Sequence, residues 1–149
     1  MRALLDVSVL LPLFDARHTQ HAPARNWWGL HGGQGWASSP LTQNGFARII
    51  SKPGYARPIG LQTAFSMLLD QLKQTDHEFW PDDISITDDT LFDHAFILGP
   101  NQITDVYLLG LAVKNGGRLV TFDRGLPLKA VRGAEARHLI VFLTGGAAL

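Results

Sequence analysis

Short apolar runs that alternate with helical segments predict an α/β fold, a three-layer α/β/α sandwich around a central, mostly parallel sheet. Two observations carry this. The strongly apolar segment Ile103–Asn115 closes at Gly116-Gly117 and leads straight into the apolar run Arg118–Phe122. The first run, Arg2–Asp6, passes at once into another helical pattern. With 149 residues and no linker or repeat, the chain reads as a single domain over residues 1–149.

The elements follow in order. Arg2–Asp6 reads as a strand, and Ser8 as the cap of a helical turn through Phe14. Residues 18–31 read as a helix stopped by Gly32-Gly33, and Gly35–Ser38 as a second strand. Ser39-Pro40 is a helix start, with serine at the cap and proline at the first position, and the helix runs to Ile50 before Pro53. A further helix spans 59–73, with Leu61, Phe65, Leu68, Leu69 and Leu72 on one side. His77–Trp80 reads as a strand and Asp88–Leu98 as a short helix. After the helix 103–115 and the strand 118–122, His138–Leu143 reads as the last strand.

Composition narrows the function. Hydrophobic residues make up 46% and charged residues 17%, which excludes a disordered chain. No cysteine is present, so disulfides and thiolate metal sites are excluded and a reducing cytoplasm is expected. The start Met1-Arg2-Ala3-Leu4-Leu5 meets Asp6 too early for a signal-peptide core. No run reaches the roughly 18 apolar residues of a membrane span, so a soluble protein without membrane partners is expected. Lys+Arg and Asp+Glu both number 13, so any nucleic-acid contact comes from local patches and not from a global basic field.

In a parallel sheet, functional groups gather outside the carboxyl ends of the strands. Asp6 ends the first strand and Asp123 ends the strand 118–122. Asp105 stands in the first turn of the helix that reverses into that strand, so three acids distant in sequence converge on one rim. Such a cluster repels itself unless a cation joins it, and hard oxygen ligands suit Mg²⁺ or Mn²⁺. Taken singly, Asp105 is equally a helix-start charge favoured by the helix dipole, Asp6 a strand-end turn residue and Asp123 a turn starter.

The ordered pieces Leu4-Leu5-Asp6-Val7-Ser8, Pro40-Leu41-Thr42-Gln43-Asn44-Gly45-Phe46, Ile103-Thr104-Asp105-Val106-Tyr107 and Val120-Thr121-Phe122-Asp123-Arg124-Gly125 resemble the PIN-domain family, specifically its VapC-like toxins. The resemblance implies a PIN-like α/β/α endoribonuclease, the toxin of a toxin–antitoxin pair, which cleaves RNA with Mg²⁺, or Mn²⁺ in its place. It implies a small antitoxin partner and a homodimer. Carried over, Asp6 and Asp105 are the principal catalytic metal ligands, Asp123 is an outer or second-metal ligand, and Ser8 and Thr121 are nearby hydrogen-bonding supports that take part in substrate binding; Arg124 is read beside them as a substrate-binding residue. The family's usual second acid is a glutamate in the helix after the second strand. Gln43 occupies that place here, bringing an amide oxygen but no charge. Gln43 is also readable as a plain hydrogen-bonding residue at a helix start.

Other polar residues take bland readings. His18 and His21 lack a third zinc ligand. Asp82, Asp83, Asp88 and Asp89 read as loop and cap groups, with Asp93 a minor candidate for the rim. Trp27, Trp28 and Trp36 read as core or interface. For a capped groove, Trp27, Trp28, Phe79 and Trp80 are the aromatics expected to be exposed. Arg48, Arg124 and Arg132 are candidate phosphate contacts. The rival class is a PIN-like binding module without nuclease activity, favoured by Gln43. A phosphatase-type Mg²⁺ site is disfavoured because no Asp-x-Asp stands at the first strand's end. A nucleotide-cofactor enzyme is disfavoured because neither a Gly-x-Gly-x-x-Gly nor a Gly-Lys-Ser/Thr loop is present.

Overall fold

The computed structural model describes residues 1–142. Five strands, β1 (Ala3–Leu5), β2 (Trp36–Ser38), β3 (His77–Phe79), β4 (Arg118–Thr121) and β5 (Leu139–Val141), form one sheet in the order β3-β2-β1-β4-β5. All four pairings are parallel. The helices are α1 (Val7–Phe14), α2 (His21–His31), α3 (Pro40–Ile50), α4 (Leu61–Gln74) and α5 (Ile103–Lys114). Alternation within the strands divides the core. Ala3, Leu5, Trp36 and Val120 face the apolar residues of α1 to α4. Leu4, Ala37 and Leu119 face the other way, onto α5 and the buried Trp80 and Phe92.

Several boundaries differ from the sequence reading, each for a local reason. Asp6, not Ser8, caps α1: its carboxylate accepts from Val7 N–H at 2.8 Å. The helix at 18–31 begins only at His21 but ends at His31, with Gly32 as its C-cap. A 3-10 turn over Gly32–Gln34 follows, and Gly35, at φ +86°, leads the chain into β2. The carboxyl end of the expected last strand, Leu143, lies outside the described residues.

Residues 88–98 are not an α-helix. Asp93 N–H donates to Ala130 O and Arg132 N–H to Leu91 O, so this backbone is tied to residues 130–132, and its own bonds are confined to a turn on Asp88 and the turn after Asp93. The Phe92 ring is wholly buried against Gly110, where an added Cβ would lie 2.6 Å from the ring. Only a 3-10 turn, His94–Phe96, remains helical. The stripe read on α4 also splits. Ala64 and Leu68 turn inward, while Leu61, Phe65 and Leu69 are exposed.

Asp15, at the carboxyl end of α1, ties that helix to the α3–α4 connection. It accepts from Tyr55 Oη at 2.8 Å and from Arg57 Nε and Nη2 at 3.2 and 2.8 Å. The Arg57 guanidinium beside it holds its carboxyl far below the usual carboxylate range, with Tyr55 adding to the effect. A depressed folded pKa stabilises the fold above the unfolded value of about 4 and is lost as pH falls through the folded value. Arg57 is partly exposed, so Asp15→Asn is expected to cost about 1–2 kcal/mol at pH 7. Urea unfolding of both forms at pH 7 and below pH 3 should show that difference shrinking with acidity.

Candidate active site

Asp6 stands where β1 ends, between its two neighbouring strands. Its Oδ2 accepts from Ser8 Oγ at 2.6 Å and from Thr121 Oγ1 at 2.8 Å, and the residue is 8% exposed. Those hydroxyls are anchored in turn, since Phe122 N–H donates to Ser8 Oγ and Asp123 N–H to Thr121 Oγ1. Ser8 and Thr121 therefore brace Asp6 from opposite sides of the β1–β4 seam. Their oxygens are directed at Asp6 and the backbone.

Asp105 occupies the first turn of α5, and Asp123 the residue after Phe122 beyond β4. The turn Gly116-Gly117 folds α5 back onto β4, which brings both acids to the edge where Asp6 lies. Burial first, then a hydrogen bond with Asp123 and the negative charges of Asp6 and Asp123, push the Asp105 carboxyl well up. The same hydrogen bond, with a second from Gly125 N–H, holds Asp123 down. Asp105 thus favours its protonated form beside two other carboxyl groups.

That arrangement fits the divalent cation which the resemblance implies. The donors are hard oxygens, and the raised Asp105 carboxyl marks a place where positive charge is demanded. Among the described residues, no three His, Asp or Glu side chains already stand at metal-ligand spacing. Mg²⁺ commonly takes one or two carboxylates and completes its shell with water.

The PIN-domain profile matches residues 3–132. The chain belongs to the PIN-domain family. It is VapC-like and a nuclease. It is 48% identical over 139 residues to Ribonuclease VapC44 of Mycobacterium tuberculosis, covering 93% of this chain and 98% of that one. Ribonuclease VapC39 of the same organism is 36% identical over 134 residues, 89% of this chain and 96% of its own. Among solved structures, M. tuberculosis VapC20, a sarcin-ricin loop cleaving toxin, aligns with a TM-score of 0.60 at 13% identity. The alignment covers 81% of this chain and 89% of that one. VapBC2 of Rickettsia felis, bound to a promoter DNA fragment, aligns at 0.55 and 15% identity over 85% and 96% of the two chains. These two support the PIN fold.

Within this PIN domain, Gln43 stands one turn into α3, whose start is fixed by a capping box between Ser39 and Thr42. Its Nε2 donates to Ser38 Oγ at 2.9 Å, and Ser38 Oγ lies 2.7 Å from His77 Nε2. Leu4 pairs with Ala37, so Ser38 ends its strand one step short of the level of Asp6. Gln43 is thereby held at the carboxyl edge of β2, beside β1. Neither Ser38 nor His77 stands out in the sequence. Gln102 does not either, although its side chain ties the start of α5 to the turn after Asp123. It accepts from Leu98 N–H at 2.8 Å and donates to Gly125 O at 2.9 Å.

Other candidates are taken up by structural roles. His18 Nδ1 accepts from Gln20 N–H and His21 Nδ1 lies 2.6 Å from Pro12 O, so both rings serve the α1–α2 turn. Asp93 caps the 3-10 turn after it and sits 3.6 Å from Arg132, whose Nε donates to Asp89 O. Arg132 is thus a brace of that loop. Arg48 lies in the last turn of α3, at the end opposite the rim. Asp82 accepts from Leu41 N–H and caps the start of α3, and Asp83 pairs with Lys114. Trp27 and Trp80 are buried and not exposed as expected, because each fills one face of the sheet; Trp28 is half-buried and Phe79 exposed. No helix among the described residues is long and apolar enough to cross a membrane.

Proposed function

We propose that the chain is a Mg²⁺-dependent endoribonuclease, with Mn²⁺ as a substitute, and the toxin of a toxin–antitoxin pair. The observation that carries this is the meeting of Asp105 and Asp123 at the sheet edge where Asp6 ends β1, with burial and the neighbouring negative charges pushing the Asp105 carboxyl up. Asp6, Asp105 and Asp123 would hold the ion, which supplies Lewis-acid activation of a water and of the scissile phosphate. Ser8 and Thr121 keep Asp6 Oδ2 fixed, so that its carboxylate needs no reorganisation. Asp105 and Asp123 hold or release a proton at their facing oxygens. Arg124, directly after Asp123, is the nearest cation in sequence for an RNA phosphate.

An antitoxin and a second copy of the chain are the proposed protein partners, acting in the cytoplasm. The relatives are named VapC, and the exposed Leu61, Phe65 and Leu69 along α4 give a partner apolar surface. The rival binding-module reading rests on the uncharged Gln43.

Incubating the purified chain with RNA and Mg²⁺ or Mn²⁺, beside its Asp6→Asn form, tests the proposal. Cleavage should require the metal and vanish with Asp6→Asn. Equal cleavage by both forms would put the activity elsewhere, and none from the wild type would favour the binding module.

A further inference from the structure

Gln43, Ser38 and His77 form a hydrogen-bonded row from α3 across β2 to the edge strand β3. A serine hydroxyl has one hydrogen and two acceptor lone pairs, while a glutamine amide has a donor end and an acceptor end. If the His77 ring is neutral and accepts at Nε2, the Ser38 hydrogen is committed to it. Ser38 then meets Gln43 only as an acceptor, so the NH₂ group must face Ser38. The carbonyl Oε1 is left facing away, and no described residue donates to it. A proton on Nε2 reverses this order. The ring donates to Ser38, the hydroxyl hydrogen turns toward Gln43, and the carbonyl end becomes its better partner.

We infer that His77, acting through Ser38 Oγ, is a positioning residue that sets which end of the Gln43 amide faces the acidic rim. With Nε2 unprotonated, the rim receives a carbonyl oxygen suited to a hard cation; with a proton on Nε2, it receives an NH₂ group that repels one. This rests on the metal-dependent nuclease reading and gives the uncharged Gln43 a defined part in it.

The surroundings of His77 favour the neutral ring. Burial, then the positive charge of Arg2, pushes its pKa down, and the negative Glu78 opposes them. Arg2 also pairs with Asp76 at 3.0 Å and with Glu78 at 3.2 Å, which gathers the local charges around the ring into one ion-paired group. The Trp36 ring covers His77 at a centroid distance of 4.6 Å from β2. From α4, the charged residues Asp70 and Lys73 are both exposed.

The decisive experiment compares two backgrounds. A glutamate carboxylate is symmetric, so Gln43→Glu needs no choice of end. In the Gln43 protein, His77→Phe and Ser38→Ala should each weaken Mn²⁺ binding by about fivefold in calorimetric titration, the equivalent of one neutral hydrogen bond. In the Gln43→Glu protein, the same substitutions should change it by less than about twofold. A purely structural loss would weaken both backgrounds alike and overturn the inference.

A metal-free readout separates the two levels of the argument. In nitrogen-edited NMR of the metal-free chain, the Gln43 side-chain amide should shift with the midpoint of His77, and that shift should disappear in His77→Phe. An amide indifferent to His77 overturns the relay even if RNA is cleaved. A titrating amide in a chain that neither binds Mn²⁺ nor cleaves RNA overturns the nuclease reading and keeps the relay as a structural row alone.

Discussion

Asp105→Asn is expected to lower metal-dependent RNA cleavage by about 1,000-fold, corresponding to ~4 kcal/mol of transition-state stabilisation. The metal-free variant should nevertheless be at least as stable as the wild type. Among the described residues, no backbone or hydroxyl group of the fold leans on the Asp105 carboxyl. It faces Asp123 and the negative charge of Asp6, and burial penalises its ionised form. Asparagine keeps the shape, offers an N–H to Asp123 and removes the repulsion. Asp6→Asn is the informative contrast. Asp6 caps α1 and receives the hydroxyls of Ser8 and Thr121, so its loss should cost stability as well as activity. Thermal melting with and without Mg²⁺ checks this. Added Mg²⁺ should raise the wild-type melting temperature and leave that of Asp105→Asn nearly unmoved. A variant that melts lower without metal, or that responds to Mg²⁺ like the wild type, would remove Asp105 from the metal-binding group.

The meeting of Asp6, Asp105 and Asp123 is legible in the sequence because topology alone dictates it. A residue ending a parallel strand and a residue starting the helix before the next strand must share an edge, whatever their side chains do. The third layer is less legible. Residues 88–98 carry an acid cap and apolar positions at helical spacing, yet they bind the segment 130–132, a partner no local pattern announces. On α4 the misreading has a different cause. The leucines mark helical periodicity, but the inward positions are held by Ala64 and Leu68, and Phe65 and Leu69 face outward. Pattern gives the period, and only packing gives the phase.

Gln43 shows the same limit at the site. Ser39-Pro40 marks the start of its helix, and its departure from the family's acid is visible in the sequence. Its partners are not. Ser38 and His77 are 39 residues apart and meet only across the β2–β3 pairing. That pairing sets Trp36 opposite His77 and Ser38 opposite Phe79. Alternation then turns Ser38 to the same face as Trp36, one diagonal step from His77. Nothing local to either residue carries that information.

Gly117→Ala is expected to destabilise the fold by about 3 kcal/mol, near the upper end for adding one methyl group to a packed interior. Gly117 is buried where α5 turns into β4, and its backbone does not need a left-handed conformation. The constraint is space. A Cβ there would lie 2.5 Å from the Arg2 carbonyl oxygen and 2.6 Å from the Trp80 ring. The ring belongs to a buried side chain, and the carbonyl is backbone that accepts from Arg118 N–H at 3.0 Å. Relieving the contact means opening the first rung between β1 and β4. The same seam ends at Asp6, whose N–H donates to Val120 O at 3.0 Å, and at Thr121, which holds the Asp6 carboxylate. Cleavage should therefore fall along with stability, although no acid has been touched. Gly29→Ala is the control. Gly29 lies inside α2, and nothing stands within 4 Å of an added Cβ, so alanine should stabilise by about 0.5–1 kcal/mol. Urea unfolding of the two variants should move in opposite directions from the wild type. A Gly117→Ala protein as stable as the wild type would mean that β1 and β4 yield at that rung without loss, and that the seam does not depend on glycine there.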